Sequence, residues 1–219
     1  MKKLFSHYYN GSTHETQNII FDTLGEMKKF LLILVLGLFL TTSSQADDIS
    51  DFQIEGMSIG DSALDYFTKE ELDKKEKEYY PKSKKFYRIF KSANSDLYDR
   101  VAFHLKSNDP SYIIYAITGI EWLEYTSCKI KQKTIVEEFK IIFENKMKIN
   151  EYEQKHPVDT YGESLYYSID FLFNDGSISR IICIDYGNKF SEESGFKDNL
   201  TIALKTKKFN VWLNTKAYK

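Results

Sequence analysis

The chain has 219 residues, with 30 Lys and Arg against 32 Asp and Glu and a formal net charge of −2. So even a balance argues against a general nucleic-acid binder, which needs a basic excess to neutralise phosphates. The 16 Tyr and 16 Phe could build a stacking surface for carbohydrate or nucleic acid, but beside so many Lys, Ile and Asn they read more simply as A+T-rich codon usage.

Residues 1–26 show no sustained helical or strand period and precede a second Met-Lys-Lys, so they are read as a mis-assigned start or a leader outside the fold. Residues 27–46 carry the parts of a secretory signal in order: Lys28 and Lys29, the apolar run 30–40, and Ser44-Gln45-Ala46 before Asp47. Cleavage is expected between Ala46 and Asp47. The 11-residue apolar run falls well short of the roughly 20 residues that cross a bilayer as a helix. A retained N-terminal anchor is the alternative if Met1 is the true start; otherwise the membrane is met only through the signal. Residues 47–219 then form a single exported α+β domain of 173 residues, with 26 basic and 29 acidic side chains.

Within that domain, residues 52–57 alternate like a short strand, and Ser58 or Asp61 can start a helix. Thr68 and Glu71 fit a capping box for a second helical piece that ends before Pro81. The Lys-rich stretch 69–91, with Tyr and Phe interleaved, could bind phospholipid or nucleic acid, but five acids among its nine bases make it a solvated face and linker. Residues 86–91 and 98–106 read as strands, the second with Val101, Phe103 and Leu105 on one face and Ala102 and His104 on the other. After a turn at Pro110, residues 112–122 hold the longest β-branched run and should be a central strand. Cys128, Ile135, Phe139, Ile142, Phe143 and Lys146 then form one stripe of a helix over 127–146. Residues 147–164 have no period and read as a long loop; 186–198 is another loop, 200–205 a strand, and Thr206 the cap of a C-terminal helix carrying Phe209, Trp212 and Leu213. The expected fold is an antiparallel sheet of five or six strands packed against one long helix, with short N-terminal helices and a C-terminal helix.

Strands 165–173 and 178–185 flank a hairpin turn at Asn174-Asp175-Gly176-Ser177. A two-residue loop would set Cys183 opposite Ser168 on the polar face; a three-residue loop with a Gly176 bulge puts Cys183 with Ile169, Phe171 and Ile181. The second register is preferred, since it lets Cys183 reach the helix and Cys128. Export makes a Cys128–Cys183 disulfide the expectation, with two buried free thiols as the alternative.

Catalytic and metal motifs fail on inspection. His156, Asp159 and Glu163 could form a loop metal site, but His104 and His156 are far apart and no zinc spacing is present. Gly162-Glu163-Ser164-Leu165-Tyr166 begins like a nucleophile elbow, and Tyr166 stands where the second glycine is needed. Residues 170–176 lack an acid that a calcium loop requires. Asn199-Leu200-Thr201 satisfies the glycosylation triplet inside an expected strand. No cofactor is expected.

Phe52-Gln53-Ile54-Glu55-Gly56-Met57-Ser58-Ile59-Gly60-Asp61-Ser62, Asp198-Asn199-Leu200 and Val211-Trp212-Leu213-Asn214-Thr215-Lys216-Ala217-Tyr218 together resemble a family of small exported proteins of marine Gram-negative bacteria, over most of residues 52–218. The resemblance implies a bacterial envelope protein and lends no activity. More loosely, the opening strand, Gly-x-Ser and helix are similar to small envelope assembly and inhibitor domains of the β-lactamase-inhibitor-like type. Two functional expectations follow. One is a non-catalytic periplasmic module that binds an envelope protein or periplasmic ligand, and no nucleic acid, through its aromatic sheet or the 147–164 loop. The other is a small hydrolase using His156, Asp159 and Ser164, which needs the histidine within hydrogen-bond reach of the serine or an acid in a concave pocket.

Overall fold

A computed structural model describes residues 49–93, 97–143 and 147–218. The expected signal and its Ala46–Asp47 junction lie outside the described residues, as does Lys146 of the helical stripe. At the start, Ile54 and Met57 exchange backbone hydrogen bonds of 3.0 and 3.1 Å across a tight turn, so the expected first strand is a single bridge. Ser62 caps a 3-10 turn at Ala63–Asp65. Thr68 and Glu71 then form the expected capping box of α1, Lys69–Lys74.

Eight strands follow: β1 Glu78–Tyr80, β2 Ser83–Ser92, β3 Arg100–Lys106 and β4 Ile114–Trp122, then β5 Lys148–Lys155, β6 Leu165–Leu172, β7 Ile178–Asp185 and β8 Asn199–Lys205. Helix α2, Tyr125–Phe143, joins β4 to β5; α3, Asn188–Ser194, precedes β8; α4, Lys207–Thr215, ends the chain. All neighbouring strands pair antiparallel in one sheet of order β1-β2-β3-β4-β8-β7-β6-β5. The class is α+β, with eight strands in place of the expected five or six.

The two missed strands, β1 and β5, are the two edges. An edge strand pairs on one side only and need not alternate, and seven of the eight β5 residues are exposed, which is why residues 147–155 showed no period. The short α3 likewise lies where a loop was expected. The central position of β4 and the face assignment of Val101, Phe103 and Leu105 agree with the expectation.

Although no repeat is visible in the sequence, the architecture has one. A helix and then a four-strand meander occurs twice, α1 before β1–β4 and α2 before β5–β8, and the two last strands, β4 and β8, meet at the centre.

One face of the sheet is the core. Phe103 pairs with Ile117 and Ile202 with Ile181 on one face of the four central strands, and all are buried. Helix α2 lies over β7 and β8 and buries Cys128, Ile135, Val136, Phe139 and Phe143 against this face. Phe139 meets Phe171 at 5.1 Å and Phe143 meets Phe173 at 4.7 Å, with Phe52 against both helix rings at 4.9 and 4.8 Å. Each such ring contributes about 1.5–3 kcal/mol by leaving water. The α1 end of the chain reaches the same face through Phe67, stacked on Phe103 at 5.3 Å.

The hairpin has the bulged register. Gly176, at φ +85°, takes a left-handed position that favours glycine, its N–H donates to Phe173 O at 2.9 Å, and Phe173 N donates to Ser177 O at 3.1 Å. Cys183 therefore opposes Tyr167, shares the core face with Ile181, and forms the disulfide with Cys128 across a Cα separation of 5.7 Å.

Candidate functional site

Residues between those core positions point to the opposite face of the sheet, which the described residues cover at one end only. There α4 lays Phe209 and Trp212 on Phe86 and Ala116, with Phe86 5.2 Å from Phe209 and 4.7 Å from Trp212. Beyond α4, Thr118, Ile120, Thr201, Ile182 and Ile184 are only half-buried although they stand on central strands, and Trp122 is 48% exposed. A central strand open on one face is ordinary in antiparallel sheets, but here the open side carries large apolar groups where polar ones are the rule.

Charge is also distributed unevenly. The registers put Arg88, Arg100, Lys106, Lys148, Arg180 and Lys205 on this face, and of the strand acids only Glu78 and Asp170. A chain with a net charge of −2 thus has a basic sheet face. Arg88 pairs with Glu78 through Nε and Nη2 at 2.8 and 2.7 Å. Phe90 lies under the guanidinium groups of Arg88 and Arg100, at 4.9 and 3.7 Å from its ring centre.

The other acid, Asp170, is saturated. It accepts from Arg180 Nε and Nη2 at 2.8 and 2.6 Å, from Ser168 Oγ at 2.8 Å, and from the Tyr152 hydroxyl at 3.3 Å. Lys205 sits one diagonal step from Arg180 on the neighbouring strand, since Arg180 pairs with Ala203 and Ile178 with Lys205. Its side chain is on the open face and the residue is 8% exposed. Among the described residues its ammonium has no hydrogen bond or ion pair. Burial pushes the amine down to about 7, Arg180 pushes the same way, and Asp170 pulls back. On the far side of Ala116, buried His104 is hydrogen-bonded through Nδ1 to the Tyr80 hydroxyl at 2.9 Å. Burial, with Arg88 and Lys205 adding to it, holds its pKa down to about 3, so the imidazole is neutral at physiological pH.

No family model, curated protein or solved structure matches the chain.

The loop residues singled out in the sequence lie together near the other end of the sheet, at the β5–β6 connection. Asp159 accepts from the backbone N–H groups of Tyr161, Glu163 and Ser164 at 2.8, 2.9 and 2.6 Å, which together hold its carboxyl down to about 2. Ser164 is fully buried, and its Oγ accepts from Gly187 N at 2.9 Å. His156 joins Ser164 through the backbone, N–H to O at 2.9 Å, while its ring packs on Tyr186 and its Nδ1 is buried without a partner. Glu163 is exposed, its Cβ beside Gly187. The arrangement closes a loop: carboxylate and hydroxyl serve backbone amides.

Sequence reasoning missed Arg180, Asp170 and Lys205. A signal existed for the first two, since Asp170 and Arg180 are equidistant from the three-residue hairpin loop and must face each other in the preferred register. Lys205 had none, as a lysine between an apolar strand and a helix cap reads as an exposed end.

The disulfide indicates a non-cytoplasmic protein, because cytosolic thiols are kept reduced. Among the described residues no helix is long and apolar enough to cross a membrane.

Proposed function

We propose that this chain is an exported periplasmic protein that binds a partner without catalysing a reaction, and that the half of the sheet left open by α4 is its binding face. The observation that carries the reading is the contrast between the two sides of the central strands. Ile117, Ile202 and Ile181 are buried, while Ile120, Ile182 and Ile184 on the other side are half-exposed among cations, with Trp122 at the border. A half-exposed apolar centre with charged surroundings is the composition of an interaction surface. The kinship to small exported envelope proteins of marine Gram-negative bacteria belongs to the same proposal, and so does a signal cleaved before Asp47.

Site-specific photo-crosslinking in cells tests it. A photoreactive residue at Thr201 or Ile120, on the open face, should give adducts, and one at Ile141, on the outer side of α2, should give none. No adduct from the open face, or equal yields from both sides, would sink the proposal.

A further inference from the structure

We propose that the open face docks a protein whose matching surface is acidic, with one partner carboxylate seated against Lys205. The inference rests on the binding reading and adds the chemistry of the partner.

Of the six cations on the strands of this face, Arg88 and Arg180 are already paired, with Glu78 and Asp170. Arg100 and Lys148 are exposed, and Lys106 is half-buried at the end of β3. Lys205 differs from all of these because the residue is buried and, among the described residues, its ammonium has no hydrogen bond or ion pair. Asp170 cannot serve it, having four donors already. An ammonium in that position is held at a cost in folding free energy, which an anion arriving from outside would relieve. Its depressed pKa reports that cost.

Size and texture point to a folded protein as the occupant. Eight strands about 4.8 Å apart span about 38 Å, and seven residues at about 3.3 Å each give about 23 Å along a strand. With half of the face under α4, a footprint of about 440 Å² remains, which suits a small interface at the low end of the protein–protein range. The centre holds Ile120, Ile182 and Ile184, and the border holds Trp122 and Arg100, residue types enriched where proteins meet. A phosphate ion would use the cations and leave the apolar centre unexplained. A bilayer surface is flat, and Lys205 is recessed among its neighbours.

Trp122 is a built-in reporter, and Trp122→Phe supplies the background from buried Trp212. The purified chain is titrated with a glutamate-rich peptide, with inorganic phosphate, and with phosphatidylglycerol vesicles. The expected result is a Trp122 fluorescence change with the peptide alone. The peptide Kd should rise about tenfold in Lys205→Met and several-fold in Arg100→Glu, and should weaken with salt. Arg100 is exposed, so its replacement keeps the test valid if the buried site does not tolerate methionine. In cells, the Thr201 adduct should be lost in Lys205→Met. Phosphate binding that depends on Lys205 would reduce the site to a simple anion site and overturn the proposal. Vesicle binding without peptide binding would overturn it in favour of a membrane surface, and silence to all three probes would overturn it outright. A Thr201 adduct that survives undiminished in Lys205→Met would sink the carboxylate pairing and leave the binding face standing.

Discussion

Replacing Lys205 with methionine should stabilise the protein, and by an amount that depends on pH. Methionine keeps the length of the lysine stem and removes the charge of a residue that is 8% exposed and has no ion pair among the described residues. In the unfolded chain the amine titrates near its ordinary value of 10.5, and in the folded chain at about 7. Between those values the unfolded state holds more protons, so the wild-type protein gains stability as pH rises from about 7 towards 10. Below about 7 the full penalty is present. The slope can reach about 1.36 kcal/mol per pH unit, which over the roughly 3.5 units between the two values bounds the effect near 5 kcal/mol; water penetration and relaxation should reduce it to about 2 kcal/mol. The assay is urea unfolding of both chains at several values between about pH 6 and pH 10, with the difference taken at each pH so that shared titrations cancel. Lys205→Met should be the more stable at pH 6, and the gap should close towards pH 10. A gap that stays constant, or a variant less stable at pH 6, would refute the buried, unpaired ammonium. A protein that retains such a residue against its own stability is trading stability for something else, which is the link to the proposed docking role.

Asp170→Asn keeps the shape of the side chain and strands Arg180, so it should cost about 3 kcal/mol in chemical denaturation and change no secondary structure by circular dichroism. Cys128→Ser with Cys183→Ser should lower stability by roughly 4 kcal/mol, the chain-entropy value for a loop of this length, and added reductant should do the same to the wild type. His104 is neutral when folded and titrates near 6.5 when unfolded, so stability should fall as pH drops from about 6.5 towards 3; His104→Gln should flatten that part of the curve. Intact-mass measurement of the periplasmic fraction should find a chain beginning at Asp47, and the full 219-residue chain in membranes would contradict it.

Much of this protein is written locally. The Thr68–Glu71 capping box, the Thr206 cap and the helical spacing that leads from Cys128 to Phe143 depend on residues a few positions apart, and each is present where the spacing predicts it. The hairpin register was also legible, because a one-residue slip would have turned Ile181 and Cys183 away from the face that holds Ile169 and Phe171. The disulfide follows from that register and from the stripe of α2. The loop residues His156, Asp159, Glu163 and Ser164 lie together at the β5–β6 connection, but their spacing could not reveal that backbone amides take up the carboxylate and the hydroxyl.

What only the tertiary structure decided is long-range. Edge strand β1 is only three residues long and β5 is almost wholly exposed, so neither carries an alternation and the size of the sheet was hidden. The meeting of β4 with β8 joins residues some eighty positions apart, and no local pattern encodes which strands become neighbours. That single pairing assembles the basic face: Lys205 comes beside Ala116 from β4 on one side and Ile178 from β7 on the other, with Arg180 a diagonal step away. Burial of a charge is a property of what surrounds it, and here the surroundings come from strands distant in the chain, so a lysine that reads as an exposed strand end became the buried cation of the open face.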